Sequence, residues 1–364
     1  MGLTGWIRAR AAPRPLLVTA RDGRAVRLAV ERSLRERGWE SASSPAEADL
    51  LVVCGTPDPV LEEAVARVWA QLPSPRARAD IRVAARAADE LDRARAGLPD
   101  LATQRADAAR RITAPDTAPT HDEAGHDPHD DAQTPETAAG HGMDGGHGMG
   151  GHDMGGGHDM HMMHGGVVAG LPMADRAPDR DGLSLDVLHA TLGPVLPDWP
   201  AGLVVRVTLQ GDVVQSAQVD VIGEPGTRWN GPPVAAALDS LARLLAVCGW
   251  SGASRTARRL RDDVLAGAVD DVELRRFAAQ LRRSRTLRWA TNGVGRLDDP
   301  DLGGDATDRW RRWVDVVEGG TPVAGSADRV LAVLPGLLEG SELASARVLV
   351  ASFDPDLDAL VATS

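Results

Sequence analysis

Histidine and methionine concentrate in one short segment whose ligand types suit a soft metal ion. Nine of the ten histidines and six of the eight methionines lie between residues 121 and 164. Imidazole nitrogen binds Cu(II), Ni(II) and Zn(II), whereas thioether sulfur prefers Cu(I), so the mixture favours copper, with nickel as the alternative. The candidate metal ligands are His141, Met143, His147, Met149, His152, Met154, His158, Met160, His161, Met162, Met163 and His164.

The same segment could serve only as a polar tether. Val, Leu, Ile and Phe are absent from residues 114–166, while glycine and proline accumulate there. Such a sequence cannot bury enough apolar surface to offset the entropy of ordering, so we predict a disordered acidic linker rich in His, Met and Gly over residues 112–166. Histidine-rich linkers bind metal weakly through imidazole alone, and only the clustered methionines favour a metal-binding role.

Composition excludes several kinds of chemistry. The chain has 364 residues, 40 arginines, no lysine, no tyrosine and two cysteines. It therefore lacks a Schiff-base lysine, a P-loop lysine, a tyrosyl acid and the thiols for a Cys-ligated cluster. Ten carboxylates between residues 116 and 159 account for all but two of the twelve net negative charges. The remainder is nearly neutral, which argues against a nucleic-acid-binding face.

The N-terminal part alternates apolar runs with amphipathic segments. Residues 16–19, 50–54 and 79–83 are typical of buried strands, and residues 23–37, 60–72 and 87–96 have the pattern of amphipathic helices. Buried strands that alternate with helices predict parallel pairing and right-handed crossovers. We therefore predict a small α/β domain over residues 14–100, with a flavodoxin-like parallel sheet.

The part after the linker begins with a β-hairpin pattern. Two alternating runs, 203–209 and 213–221, flank a turn that contains Gly211 and Asp212. The sequence after Pro233 predicts helices, which lie at 234–247, 253–265, 272–288, 307–317 and 328–338, with a last apolar run at 346–353. We predict an α+β domain over residues 167–364, a β-hairpin followed by a helical bundle.

Two motifs in the N-terminal part resemble one protein family. Residues 44–60 read SPAEADLLVVCGTPDPV, and residues 65–76 read VARVWAQLPSPR. They are similar to the small iron–sulfur subunit of respiratory complex I and of membrane-bound [NiFe] hydrogenases. In that family a strand with the pattern A-D-x-x-x-V-x-G-T leads into a helix that ends in V-[WY]-[DA]-Q-[ML]-P-x-P-R. The resemblance covers about residues 14–95.

The C-terminal part resembles the large subunit of the same enzymes. Residues 192–217 are similar to the opening β element of that subunit, and residues 281–289 with Gly293–Gly295 resemble a later helix and turn. The closing run 350–359, VASFDPDLDA, resembles the D-P-C-x-x-C motif of hydrogenases. The order of the motifs, small-subunit type and then large-subunit type, indicates a fusion of the two.

The departures from the family pattern predict that its redox centres are lost. Where the family places cluster cysteines, this chain has ARDGR at residues 20–24 and AARAA at residues 84–88. In the closing motif, Asp356 and Ala359 replace the two cysteines that bind metal in hydrogenases. The quinone-reducing relatives have a histidine in the loop that corresponds to residues 193–202, and this chain has none there. We expect no iron–sulfur cluster and no NiFe centre.

Three functions follow from these features. The first is a non-catalytic accessory or scaffold subunit of a complex I-like (NADH–quinone oxidoreductase) or [NiFe] hydrogenase-like assembly, with a linker able to bind metal. The alternative is a copper- or nickel-handling protein, and the third is an oxidoreductase subunit completed by partner chains. We expect partners among the subunits of a membrane-associated respiratory or hydrogenase-like complex, without nucleic acid or direct membrane insertion. The expected location is the cytoplasm, or the cytoplasmic face of the membrane through partner subunits.

Single residues outside the linker are predicted to be structural. Cys54 and Cys248 lie in apolar runs and read as small buried residues. His189 is expected to be hydrogen-bonded rather than a ligand. The alternating aspartates of residues 354–358 suit either a cation site or a solvated turn, and we favour the turn. The arginine run at 282–288 is expected to pair with acidic neighbours, for which the candidates are Asp262, Asp263, Asp270 and Asp271.

Overall fold

A computed structural model describes residues 12–113, 167–168, 171–172, 175–178, 184–322 and 326–360. Nearly all of the predicted linker, including every candidate metal ligand, lies outside these residues. We refer to residues 12–112 as the N-terminal half and to the described residues from 175 to 360 as the C-terminal half. Both halves belong to one compact unit. A separate unit, residues 113–173, contains the two-residue strands β4 (Val167–Val168) and β5 (Leu171–Pro172), which pair antiparallel.

The predicted parallel sheet of the N-terminal half is confirmed. Its strands are β1 (Pro15–Thr19), β2 (Leu50–Cys54) and β3 (Ala77–Ile81), and its helices are α1 (Arg24–Arg37), α2 (Pro59–Gln71), α3 (Ala87–Gly97) and α4 (Leu101–Thr113). The strand order is β1-β2-β3, whereas a flavodoxin-like sheet places β1 between the other two. The flavodoxin-like order was therefore wrong. The central place suits β2 because all five of its residues are buried, while β3 carries charged residues that suit an edge.

Helices cover both faces of this sheet. Helices α1 and α3 pack against the face that presents Val52 and Ile81, whereas α2 packs against the opposite face, which presents Leu16 and Val53. The sheet advances in one direction while successive helices lie on opposite faces. The two crossovers therefore have opposite handedness, and the expectation of right-handed crossovers fails for one of them.

The C-terminal half combines an antiparallel sheet with helices, as predicted. The hairpin consists of β8 (Leu203–Gln210) and β9 (Val213–Val221), and two further strands, β6 (Asp175–Pro178) and β7 (Ser184–Leu192), extend the sheet in the order β6-β7-β8-β9. The helices are α5 (Pro233–Val247), α6 (Ser251–Leu265), α7 (Asp271–Arg283), α8 (Arg285–Thr291), α9 (Ala306–Val317), α10 (Ala327–Leu338) and α11 (Leu343–Phe353). The single helix predicted over 272–288 divides at Ser284, whose side chain caps α8 by accepting from the Leu287 amide.

Two apolar cores support the C-terminal half. One surrounds the fully buried Trp310 and joins α5, α6, α7 and α9. The other joins the sheet to α10 and α11. The halves meet where α1 packs against α6. Val195 and Ile222 of the C-terminal half also pack on the apolar cluster under α2, so both halves share buried surface.

Candidate functional site

The loop after β1 contacts the closing segment of the chain. Arg24 forms ion pairs with Asp356 and Asp358. Arg21 donates to the Leu357 carbonyl at 2.6 Å and to the Gly223 carbonyl at 3.0 Å. Two segments separated by more than 330 residues are therefore joined by arginine, and each of them is a position at which the resemblance led us to look for metal ligands.

Glycine is required where this loop meets the end of β2. A Cβ atom on Gly23 would lie 2.1 Å from the Cys54 carbonyl oxygen, and Gly55 has a φ of +94°, which disfavours other residues. The Ala20 amide donates to the Cys54 carbonyl at 2.8 Å, and Asp22 accepts from the Thr56 amide at 2.8 Å. This close approach fixes the direction in which α1 leaves the sheet.

A buried network of arginines and carboxylates lies one to two turns further along α1. Arg27 Nη2 lies 2.6 Å from Asp239 Oδ2, and Arg261 Nη1 lies 2.7 Å from both Glu31 Oε2 and Asp239 Oδ1. Arg261 is fully buried and also contacts Asp262 at 2.8 Å. We call the following set the interface network: Arg27, Glu31, Arg35, Asp198, Asp239, Arg243, Arg258, Arg261, Asp262 and Asp354.

The buried carboxylates of the network stay ionised because neighbouring arginines offset the cost of their burial. Burial opposes the charged form of Glu31, but Arg27, Arg261 and Arg258 outweigh it and lower the pKa of Glu31 to about 2. Burial likewise opposes charge on Asp239, and its arginine neighbours hold its pKa well below the ordinary value. Removal of one partner would leave an uncompensated buried charge, which typically costs about 3–5 kcal/mol.

A cavity of about 620 Å³ lies beside the network and is lined by both halves. Its apolar wall includes Leu34, Trp39 and Leu196, and its polar wall includes Arg243 and Arg258. The Nε atoms of both arginines are buried and have no hydrogen-bond partner in the described chain. The cavity has the size and the mixed lining of a small-molecule site.

The described residues contain no metal site. No group of three or more His, Cys, Asp and Glu side chains in that part of the chain could hold an ion. Burial raises the pKa of the Cys54 thiol to about 12 and of the Cys248 thiol to about 11, so neither is a thiolate at neutral pH. Cys54 is buried as predicted, and Cys248 is half-buried. The candidate ligands from His141 to His164 lie outside the described residues and stay predictions.

The closing aspartates differ from the favoured solvated turn. Asp354 accepts from Ser240 Oγ at 2.5 Å and pairs with Arg243 at 2.6 Å. Asp358 accepts from the Gly226 amide at 3.0 Å, and only 4% of its side chain is exposed. The turn is therefore partly buried and paired with arginine because it docks on α5 and on the loop after β1.

Arg282 of the arginine run pairs with other acidic residues than those expected. It pairs with Asp315 of α9 and with Glu318 at the C-terminal cap of that helix, not with the acidic residues that the sequence suggested. The reason is that α7 and α9 pack together in the bundle core. His189 behaves as expected, because its Nδ1 lies 3.3 Å from Thr208 Oγ1 on the neighbouring strand.

Sequence patterns missed the pairing within the interface network, although Asp262 and the segment of Asp354 were singled out for other roles. Arg27 and Glu31 are four residues apart on α1, which is a recognisable helical ion pair. Asp239 lies inside the apolar helix α5, where an isolated carboxylate signals a buried partner. Nothing local pairs these residues with Arg261, which is more than 200 residues from α1.

Comparison with known proteins adds no identification. No protein-family model, curated protein or solved structure matches this chain. Among the described residues, no helix is both long and apolar enough to cross a membrane. The resemblance to the subunits of complex I and hydrogenases therefore rests on the quoted motifs.

The network predicts a specific loss of stability in acid. Because the pKa of Glu31 falls from about 4.5 to about 2 on folding, the unfolded chain binds the proton first as the pH falls. The stability that the Glu31 charge contributes is complete above about pH 5 and is lost toward pH 2. The shift corresponds to about 3 kcal/mol. We expect Glu31→Gln to unfold more easily than wild type by about that amount at pH 7, and the difference to close near pH 2.

Urea unfolding at a series of pH values measures this difference. The matched control is Glu63→Gln, which breaks an exposed i,i+4 pair with Arg67 and should cost less than about 0.5 kcal/mol at every pH. A Glu31→Gln curve that runs parallel to wild type from pH 7 to pH 2 would show that the Glu31 charge does not stabilise the fold.

Proposed function

We propose that the protein is a non-catalytic accessory or scaffold subunit of a complex I-like or [NiFe] hydrogenase-like assembly. In the resembled enzymes the small and large subunits are separate chains that hold redox centres. Here the corresponding motifs lie in one chain and carry no cysteine or histidine ligand set. The protein would contribute a rigid docking body to such an assembly, and electron transfer would be left to its partners.

The observation that carries this proposal is the contact between residues 20–24 and 354–358. Arg21 and Arg24 lie in the loop where the resembled small subunit has cluster cysteines, and they contact the run that resembles the closing motif of the large subunit, whose two ligand positions are Asp356 and Ala359 here. Arginine paired with carboxylate joins the two segments without an ion. These residue types support a structural use of both positions.

An exposed surface on α7 and α8 offers a docking site for a partner. Trp289 is 84% exposed, the most exposed of the large hydrophobic residues in the described chain. Arg283, Arg285 and Arg288 are exposed, lie close to Trp289 in the sequence and form no ion pair with any described residue. Trp and Arg dominate the energetics of protein interfaces. We infer that this surface, which we call the Trp289 surface, receives an acidic face of a partner subunit.

Capture of partners from native membranes tests the scaffold role. Tagged full-length protein should retain redox subunits of a membrane-associated complex, identified by mass spectrometry. The double variant Trp289→Ser/Arg285→Glu should weaken retention at least tenfold, because it removes the aromatic anchor and reverses one charge. The control variant Leu101→Ser/Arg105→Glu makes equivalent changes on exposed α4 and should retain them fully.

Two results would contradict the scaffold role. One is a protein recovered as a monomer without partner subunits. The other is recovery of nucleic acid alone, because a surface of arginines and an exposed tryptophan could also bind that class of partner.

Metal binding by the linker is the second component of the proposal, supported by its sequence. Full-length protein should bind Cu(I) more tightly than Ni(II), and deletion of residues 141–164 should abolish the difference. Deletion of residues 116–139, which removes the same number of residues and three histidines but no methionine, should preserve tight Cu(I) binding.

The full-length protein should show no [4Fe–4S] absorbance after anaerobic treatment with iron and sulfide. A spectrum of one [4Fe–4S] cluster per chain would contradict the non-catalytic role. In the copper titrations, equal Cu(I) affinity of the two deletion variants would show that the linker acts only as a tether.

A further inference from the structure

A second cavity, of about 450 Å³, lies within the C-terminal half and shares only Asp354 with the interface network. It is bounded by α5, α9 and the segment 352–359, which comprises the end of α11 and the turn after it. Three arginines line it, Arg228, Arg309 and Arg312, together with the rings of Trp229 and Trp313. Its lining includes Asp356 and Ala359, which replace the closing metal-binding pair of the resembled large subunit, and the proposed scaffold role gives the cavity no ligand.

Arg309 is a buried cation without a carboxylate partner. Only 3% of the residue is exposed, and its guanidinium donates to Ser352 Oγ and to main-chain carbonyls between residues 294 and 304, at 2.9 to 3.2 Å. It also lies 4.0 Å from the centre of the Phe353 ring. No carboxylate of the described residues is within ion-pair distance of it. Burial and the neighbouring charge of Arg312 lower the pKa of Arg309 to about 10.

The carboxylates that line the same cavity are already engaged elsewhere. Asp354 pairs with Arg243, Asp356 with Arg24, and Asp301 with Arg329. Among the described residues no ion pair joins the three lining arginines to an acid, although Asp305 and Asp308 lie near enough to Arg309 to favour its charge. An anion in the cavity would therefore meet arginines with which no carboxylate pairs directly.

Trp229 supplies a further unused donor. Its indole Nε1 is buried and has no hydrogen-bond partner in the described chain. The ring lies close to Gly231, since a Cβ atom there would lie 2.5 Å from Trp229 Cζ2. An indole N–H buried without an acceptor is costly, so an acceptor supplied by a ligand would relieve it.

We propose that this cavity binds a small organic acid, a flat ring that carries a carboxylate or phosphate oxyanion. The oxyanion would lie against Arg309 and Arg312 and accept the Trp229 N–H. The ring would lie between the indoles of Trp229 and Trp313. The volume lies in the range of small-molecule sites and leaves room for a ligand of one or two rings.

Calorimetric titration of the full-length protein tests this site with four probes. Indole-3-acetate presents a ring with a carboxylate, AMP a ring system with a phosphate, indole-3-acetamide a neutral ring, and inorganic phosphate an oxyanion alone. We expect one of the two ring acids to bind at least tenfold more tightly than both indole-3-acetamide and inorganic phosphate. Which acid binds better tells whether the oxyanion is a carboxylate or a phosphate.

Variants locate the binding in this cavity. Arg312→Gln should weaken binding at least tenfold, and Trp229→Phe, which removes only the N–H and one ring, should weaken it about threefold or more. The controls Arg276→Gln and Trp289→Phe change exposed residues on α7 and α8 and should leave affinity unchanged. Thermal unfolding of each variant checks that it is folded.

Three outcomes would overturn the proposal. The first is that neither ring acid binds the wild-type protein at millimolar concentration. The second is that indole-3-acetamide alone, or phosphate alone, binds as tightly as the better of the two acids. The third is that folded Arg312→Gln and Trp229→Phe bind as wild type does. None of these measurements involves a partner subunit. A negative result here would therefore not contradict the scaffold role, which the capture experiment tests separately.

Discussion

The buried pairing of arginine with carboxylate between α1, α5 and α6 is the interaction on which the rest of the structure depends. Arg261 alone contacts three carboxylates, on Glu31, Asp239 and Asp262, and each of the five network arginines faces at least one acid. A planar guanidinium can satisfy two carboxylates at fixed geometry, which an ammonium cannot. The exclusive use of arginine in this chain is consistent with that requirement.

The network also makes orientation between the halves specific. Apolar contacts such as those of Val195 and Ile222 on the N-terminal core stabilise association but tolerate sliding. Buried ion pairs do not permit such a shift, because a displaced arginine would leave charges unpaired in a desolvated place. The contact of Arg21 and Arg24 with the closing segment, and the cavity beside Trp39, both exist only in this orientation. A fixed orientation is consistent with the proposed scaffold role.

The sequence predicted elements whose stability comes from apolar burial, and it missed those held by polar contacts. Strands β1 to β3 and the hairpin of β8 and β9 lie within a few residues of their predictions, because their apolar runs are regular. Helix α4 was missed because it docks through Gln104 and Asp107, which bind the main chain and the guanidinium of Arg76. Of the candidate sites, only the loop at 20–24 and the segment at 354–358 were singled out in advance, as positions that lack metal ligands. Their contact with each other, and the pairing of α1 with α6, join residues too far apart for any local pattern.

Differential scanning calorimetry of the full-length protein at pH 7 tests most directly whether the halves form one body. If the interface network couples them, the described halves should unfold in a single transition whose calorimetric and van't Hoff enthalpies agree. In Asp239→Asn, which leaves Arg27 and Arg261 short of a charged partner, that transition should move to lower temperature or divide. Two separate transitions in the wild-type protein, unmoved by Asp239→Asn, would contradict the account.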